Sequence, residues 1–291
     1  MHRRTVLTLL ALAAAAPPVL GHAAAVRPED RNREIVLAWY AALAAGDADR
    51  AAAAMAADYI EHGATMGSGA AGLRAWAQAR DLVRNPFRPE VLHTIAQGDM
   101  VAVFLHSDFP GQGELGYMDF YRLKDGKLAE HWGFTQKPPA QLLHTNGFIT
   151  RPQPTDRSKI GRDEARNLQG ALGWFYDVLG KGDVDHSSVV QQDDYIQHAQ
   201  GVATGNAGFR AFAKARDLPN NPFKVTVLKT VAEGDYIVTL GVGDIGGRQM
   251  AMPDWIRMKD GKLQEHWGLV QLVPAELPHA NGFLGGLAPV R

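Results

Sequence analysis

The chain contains no cysteine among its 291 residues. That excludes disulfides, a cysteine nucleophile, a cysteine–zinc site and a cysteine-borne lipid anchor. An excess of charge of one sign is missing too. Thirty basic residues stand against 31 acidic ones, with no Lys/Arg run or basic stripe to track a nucleic acid. Beyond the N-terminus, no apolar stretch reaches the length of about 20 residues that a membrane-spanning helix needs. What remains is a near-neutral chain that must hold together by core burial alone.

The first 25 residues form a three-part pattern. Arg3 and Arg4 precede the apolar run TVLTLLALAAAA, and small residues follow up to Ala23-Ala24-Ala25. A positive start, an apolar middle and an A-x-A end are expected of a signal peptide. Arg3-Arg4 also half-matches a twin-arginine leader, so the export route stays open. The expectation is a periplasmic or secreted protein of bacterial type, with no membrane span in its mature chain.

The chain then repeats itself. Tyr59 to Phe87 returns 136 residues later as Tyr195 to Phe223, with 16 of 29 positions identical. DFYRLKDGKLAEHWG from Asp119 returns from Asp254 at an offset of 135, with 11 of 15 positions identical. A period of this length means two folded modules, because solenoid repeats run at about 20–50 residues. The organisation expected is a leader at 1–25, a first unit at 27–149, a linker at 150–163 and a second unit at 164–288. The linker is polar, carries two prolines and has no apolar period.

Each unit should open with helices and continue in strands. Ile35, Val36, Trp39, Tyr40 and Leu43 recur at helical spacing until Gly46-Asp47 stops them; Leu172, Phe175, Tyr176 and Leu179 do so in the twin. A short helix is expected at about Asp49 to Ala56, then an extended Tyr-Ile-x-His, then a helix from near Ala70 to Val83 ended by Asn85-Pro86. Strands are expected over Pro89–Ala96, Met100–Phe109, Tyr117–Leu123 and Lys127–Gln136, turned by Gly98-Asp99 and Asp125-Gly126. Helices followed by hairpins predict an α+β fold, a curved antiparallel sheet with about three helices against one face.

Strand parity then selects candidates, since alternate side chains share a face. Asp119 and Tyr121 point one way; His131 and Gly133 share a face, and so do His106 and Asp108. A concave face would gather Asp119, Tyr121, His131 and His106, with His62 near the rim. A carboxylate in an apolar pocket is suited to taking a proton, and histidine or tyrosine can donate to a developing enolate oxygen. Bland roles fit the same residues. Asp119 suits a loop anchor, His131 a hydrogen-bonded core histidine and His62 a helix-junction residue. His144 and His279, in HTNGF and HANGF, suit turn-ordering residues, and Trp39, Trp76 and Trp132 suit core. A metal held by His62, His131 and Asp119 has the right atoms but no short-range ligand spacing to support it.

Tyr-Ile-x-His, the helix ending in Asn-Pro-Phe, the Gly-Asp turn and DFYRLKDGKLAEHW together resemble the SnoaL-like proteins of the nuclear transport factor 2-like superfamily. The resemblance covers nearly all of both units. It implies cone-shaped α+β modules with a pocket in the cone, and polyketide cyclase-like, isomerase or dehydratase chemistry without a cofactor. The site positions it carries over are His62 and His198, Asp119 and Asp254, and His131 and His266. One departure stands out. Relatives of this branch usually have Asp after His-Trp, where this chain has Gly133 and Gly268.

Two functions follow as expectations. One is an enzyme acting on a small apolar carbonyl compound, with Asp119 as base, His131, Tyr121 and His62 as donors or orienters, and Asp254, His266 and His198 as a second set. The other is a non-catalytic carrier of small apolar ligands. The fused halves would also satisfy sheet pairing internally, giving a pseudo-dimer in one monomeric chain. Between halves His106 becomes Val242, Tyr121 becomes Ile256 and Trp76 becomes Phe212, so the second pocket should be the more apolar one. If one half is catalytic, it should be the first.

Overall fold

The computed structural model describes residues 26–109 and 113–290. The expected leader at 1–25 lies outside the described residues. Helix α1 spans Pro28–Ala44, with Pro28 in its first turn and Glu29 and Asp30 beside the positive end of the helix dipole. Its buried residues Val36, Trp39, Tyr40 and Leu43 follow the helical period. The Asp47 carboxylate caps the short α2 (Ala48–Ala53) by accepting from the Arg50 amide at 2.9 Å. Strand β1 (Met55–Glu61) follows, then α3 (Gly69–Ala79) and strands β2 (Glu90–Gln97), β3 (Met100–Phe109), β4 (Gly113–Lys124) and β5 (Lys127–Gln136).

Helix α3 ends four residues before the expected Val83. Asp81 takes a left-handed conformation at φ +48°, and the Leu82 amide bonds back to the Ala77 carbonyl at 3.0 Å. That is a Schellman closure, sealed by burial of Leu82. Asn85-Pro86 therefore closes the following turn rather than the helix. At Asp125-Gly126 both residues have positive φ, the type I′ geometry that a two-residue hairpin favours.

The second unit repeats this order with α4 (Glu164–Gly173), α5 (Ser187–Val190), β6 (Gln191–Gln197), α6 (Gly205–Arg216), β7 (Thr226–Glu233), β8 (Tyr236–Ile245), β9 (Arg248–Lys259) and β10 (Lys262–Gly268); a short β11 (Gln271–Leu272) pairs with β9. The sheet orders β1-β5-β4-β3-β2 and β6-β10-β9-β8-β7 are equivalent. Each sheet is mixed, because β1 and β6 run parallel to β5 and β10 while the other pairs on these paths are antiparallel. The sheets curve without closing into barrels.

The one-residue change of offset has a structural cause. Trp39 to Asp47 takes eight steps, and Trp174 to Asp183 takes nine. The extra residue is absorbed as a π-helical turn at Trp174–Leu179, directly after α4. The compensating deletion falls in the β8–β9 hairpin.

Each sheet is covered on both faces. Its concave face packs on its own helices, with Val101, Val103 and Leu105 in the first unit and Val227, Ile237 and Ile256 in the second. The other faces meet each other. Phe104, Phe120, Trp132 and Phe134 pack with Val238, Leu240, Trp255 and Trp267 in one continuous core. Large side chains are worth about 1.5–3 kcal/mol each when fully buried, so this is a core rather than a loose domain contact.

The segments after β5 and after the second sheet cross over to the opposite half. His144 Nε2 lies 3.1 Å from the Ala199 carbonyl, and Asn146 donates to the Gln197 carbonyl at 2.9 Å. Reciprocally, His279 Nε2 lies 2.9 Å from the Gly63 carbonyl and Asn281 donates to the Glu61 carbonyl at 2.9 Å. The HTNGF and HANGF motifs are thus clamps between halves, and Phe148 and Phe283 anchor them in the shared core. Gln136 and Gln271 add a matched pair, each accepting a backbone amide from the other half at 2.6 and 2.8 Å.

Candidate active site

Three strands and one helix assemble the first pocket. Alternation along β4 places Tyr117, Asp119 and Tyr121 on the concave face. The register with β5 sets Tyr121 opposite His131 and Asp119 opposite Gly133. Parallel pairing of β1 sets Glu61 beside His131, and α1 contributes Trp39 and Tyr40 from above. The cavity so formed holds about 140 Å³, with Trp76, Phe87 and Phe134 among its walls and Gln271 reaching in from the second half.

Its polar groups form a chain. Tyr121 donates to the Tyr40 hydroxyl at 2.7 Å, and Tyr40 donates in turn to Asp119 Oδ2. His131 Nδ1 donates to Glu61 Oε1 at 2.8 Å, while Glu61 also receives the Tyr59 hydroxyl at 2.9 Å and the Gly63 amide at 2.6 Å. His131 Nε2 stands 3.7 Å from Asp119 Oδ1, close enough for charge attraction but too far for a hydrogen bond. This buried nitrogen has no hydrogen-bond partner among the described residues. Burial opposes charge on the ring, but Glu61 and Asp119 outweigh it and push the imidazole up to about 10. Burial first, then Asp119, holds both Tyr40 and Tyr121 well above the ordinary phenol range. The site therefore keeps an imidazolium N–H beside a carboxylate, both facing an apolar cavity.

Gly133 belongs to this geometry. A Cβ there would lie 2.8 Å from His131 Cε1 and 3.2 Å from Asp119 Oδ1. The glycine leaves the space through which the imidazole approaches the carboxylate across β4 and β5. The carboxylate beside Gly133 is that of its cross-strand neighbour, Asp119.

The second pocket is larger, about 400 Å³, and is lined by Phe175, Phe209, Phe212, Phe223, Met250 and Met252 among others. Gln197 replaces Glu61, Phe175 replaces Tyr40 and Ile256 replaces Tyr121. Without the phenol, Asp254 Oδ1 closes onto His266 Nε2 at 2.7 Å, and Asp254 Oδ2 is left buried with no partner among the described residues. Burial raises the Asp254 carboxyl, and His266 offsets only part of that. His266 Nδ1 meets the Gln197 amide oxygen at 3.0 Å, and Gln197 donates to the Tyr195 hydroxyl at 2.6 Å.

Asp119, Tyr121 and His131 thus come together, as do Asp254 and His266, but three expected placements are corrected. His62 is not at the rim; it lies on the opposite face of the sheet, stacked on Trp132 with ring centroids 5.0 Å apart. Its nitrogens face Glu130 Oε1 at 2.9 Å and the Gly282 carbonyl at 2.6 Å. His198 repeats this on Trp267, Glu265 and the Gly147 carbonyl. The cause is parity, since His62 follows Glu61 and must face the other way. His106 does not enter the pocket; it lies on the opposite face of β3, that of Ala102 and Phe104, and pairs with Glu90 at 2.9 Å, and Asp108 is exposed. Tyr121 presents its ring, stacked 4.5 Å from His131, while its hydroxyl is committed to Tyr40. With His62 and His131 on opposite faces, the three-ligand metal set has no common centre, and among the described residues no cluster of three or more such side chains fits a metal ion.

Sequence reasoning missed Glu61, Tyr40 and Tyr59. The Glu61-to-Gln197 exchange was visible in the aligned repeats, inside a motif whose histidine drew the attention.

The sequence profile of the SnoaL-like domain matches residues 36–131. No curated protein matches the chain. Among solved structures, a putative polyketide cyclase, IdmH, from Streptomyces antibioticus is 19% identical over 36% of this chain and 91% of its own, at a TM-score of 0.30. A putative hydroxylase, AclR, from Streptomyces galilaeus is 18% identical over 37% of this chain and 90% of its own, with a TM-score of 0.32. A putative ketosteroid isomerase from Kribbella flavida is 16% identical over 46% and 90%, with a TM-score of 0.32.

Proposed function

We propose, from the match of residues 36–131 to the SnoaL-like domain, that the first half is an acid–base catalyst acting on a small, mostly apolar carbonyl compound. The observation that carries this reading is the Asp119–His131 couple, whose Nε2 is buried, unpartnered and turned to an apolar cavity. Asp119 takes a proton from the carbon next to the carbonyl. The His131 Nε2–H donates to the oxygen as negative charge develops there, and Glu61 keeps the ring charged through Nδ1. Tyr40, itself held by Tyr121, donates to the far oxygen of Asp119, so Oδ1 is the free basic atom. The enolate can then be protonated elsewhere, lose a leaving group or attack a second carbonyl; each ends with the proton returned. No step requires a cofactor.

The test is exchange of α-hydrogens of a small cyclic ketone in D2O, followed by proton NMR. The native protein should accelerate exchange, and Asp119→Asn should lower the rate by about 10²–10⁴, the usual range for a positioned base. Asp254→Asn should leave it unchanged. Undiminished exchange in Asp119→Asn would remove the assignment.

The second half supports a different reading. With Glu61, Tyr40 and Tyr121 replaced, it keeps an apolar cavity with a self-paired Asp254–His266, which suits binding rather than proton transfer. The mature protein is further proposed to be exported, as a monomer whose sheet pairing is internal. N-terminal sequencing and the solution mass of protein from its native host would check both; a retained Met1 or a stable dimer would count against them.

A further inference from the structure

The two cavities differ in charge as well as in size. In the first, two carboxylates, Glu61 and Asp119, face one imidazolium, and Arg80 on the wall brings the lining close to neutral. In the second, Gln197 removes one carboxylate. The Asp254–His266 pair is neutral as a whole wherever its proton sits. Arg216 is then an uncompensated cation on an otherwise apolar wall.

Arg216 is also set up to receive something. It ends α6 with its guanidinium carbon 3.8 Å above the centre of the Phe223 ring. Among the described residues its Nε is buried without a hydrogen-bond partner, and no carboxylate pairs with the guanidinium. A guanidinium seated over an aromatic face keeps its N–H groups for a ligand, and Nε–H with a terminal N–H forms a fork matched to a carboxylate. Beside it Phe212, Phe209 and Met252 supply a wall that rewards an apolar body.

From these features we infer that the second cavity is a binding site for apolar carboxylates, with the chain or ring system in the cavity and the carboxylate on Arg216. The inference rests on the binding reading of the second half and is independent of catalysis in the first. Arg80, the counterpart in the first half, does not provide the same site, because Glu61 balances its charge and the cavity there is about a third as large.

Titration calorimetry of the full mature chain with decanoate and with decanamide separates the components. Decanoate should bind at least about tenfold more tightly, which is 1.4 kcal/mol. Arg216→Met should erase that preference and leave decanamide affinity within about twofold, a charge effect rather than a packing one. Arg80→Met should change neither ligand, and Met252→Trp, which fills the cavity, should abolish both. Circular dichroism confirms folding of each variant. If Arg216→Met does not fold, Arg216→Gln keeps much of the stem and tests the same loss. Equal affinity for acid and amide overturns the carboxylate inference while leaving a binding pocket. A preference that survives Arg216→Met places the anion elsewhere and overturns it too. Binding of neither ligand overturns both the inference and the binding reading.

Discussion

The two pockets are built on the same strands in the same register, yet their carboxylates behave differently. In the first, Tyr40 draws Asp119 away, so that His131 Nε2 is 3.7 Å off and free. In the second, Phe175 stands where Tyr40 stood, and Asp254 closes onto His266 at 2.7 Å. One phenol therefore decides whether an acid and a base face the cavity or neutralise each other. The glutamate behind the histidine makes the same division, since Glu61 stabilises an imidazolium and Gln197 cannot supply that charge. The repeat preserved the frame and exchanged the groups that set protonation.

The largest expected effect comes from erasing that difference. Glu61→Gln should lower the His131 pKa from its value of about 10 toward that of an ordinary imidazole and cut ketone exchange by about 10², the scale of losing a positioned donor. Imidazole NMR titration reads the first effect and the exchange assay the second. An unchanged His131 titration in this variant would break the comparison. The reverse change, Gln197→Glu with Phe175→Tyr, should move Asp254 off His266 and bring weak exchange activity to the second half.

Filling the glycines comes next. Gly133→Ala would set a Cβ 2.8 Å from His131, and Gly268→Ala would set one 2.7 Å from Asp254. Each should cost about 1–3 kcal/mol by overpacking, measured by urea unfolding. Only Gly133→Ala should also reduce exchange.

The charge on His131 makes stability depend on pH with a definite sign. Its folded pKa lies near 10, above the unfolded value near 6.5. Below pH 6.5 both states hold the proton and the contribution is complete. Between 6.5 and 10 the folded state holds the extra proton, so stability should fall by up to about 1.4 kcal/mol per pH unit. Glu61→Gln should flatten that slope; an equally steep slope in the variant would assign it to other groups.

Much of this was legible in the sequence. Period-2 alternation placed Asp119, Tyr121 and His131 on one face, and the repeat foretold two equivalent sheets with a more apolar second pocket. His62 was misplaced because the Tyr-Ile-x-His motif draws the eye to its histidine, although parity gives the inward position to the residue before it. His106 failed for the same reason. It lies on the face of β3 shared by Ala102 and Phe104, whereas Val103, the residue opposite Asp119, marks the inward set. Tyr40 could not be found from spacing, since helical periodicity marks it as core and says nothing of a carboxylate 79 residues on. The exchanged tails escaped because HTNGF and HANGF look like local turn chemistry, and their partners lie in the other half.

Those tails carry the smallest predicted effect and the one that joins the two halves. Asn281 donates to the Glu61 carbonyl at 2.9 Å and to Ser68 Oγ at 2.6 Å, and Ser68 Oγ itself accepts from the Glu61 amide at 2.9 Å. The second half thus fixes the backbone of the residue that keeps His131 charged. Asn146 does the same for Gln197 in the opposite direction. Each Asn→Ala change should cost about 0.5–1.5 kcal/mol of stability, the net worth of a typical hydrogen bond. Their functional consequences should cross over. Asn281→Ala, although in the second half, should lower the His131 pKa and slow exchange in the first. Asn146→Ala should leave both alone and weaken ligand binding in the second cavity. If each variant affected only the half that bears it, the clamps would be mere fasteners; crossed effects would make each pocket dependent on its neighbour's tail.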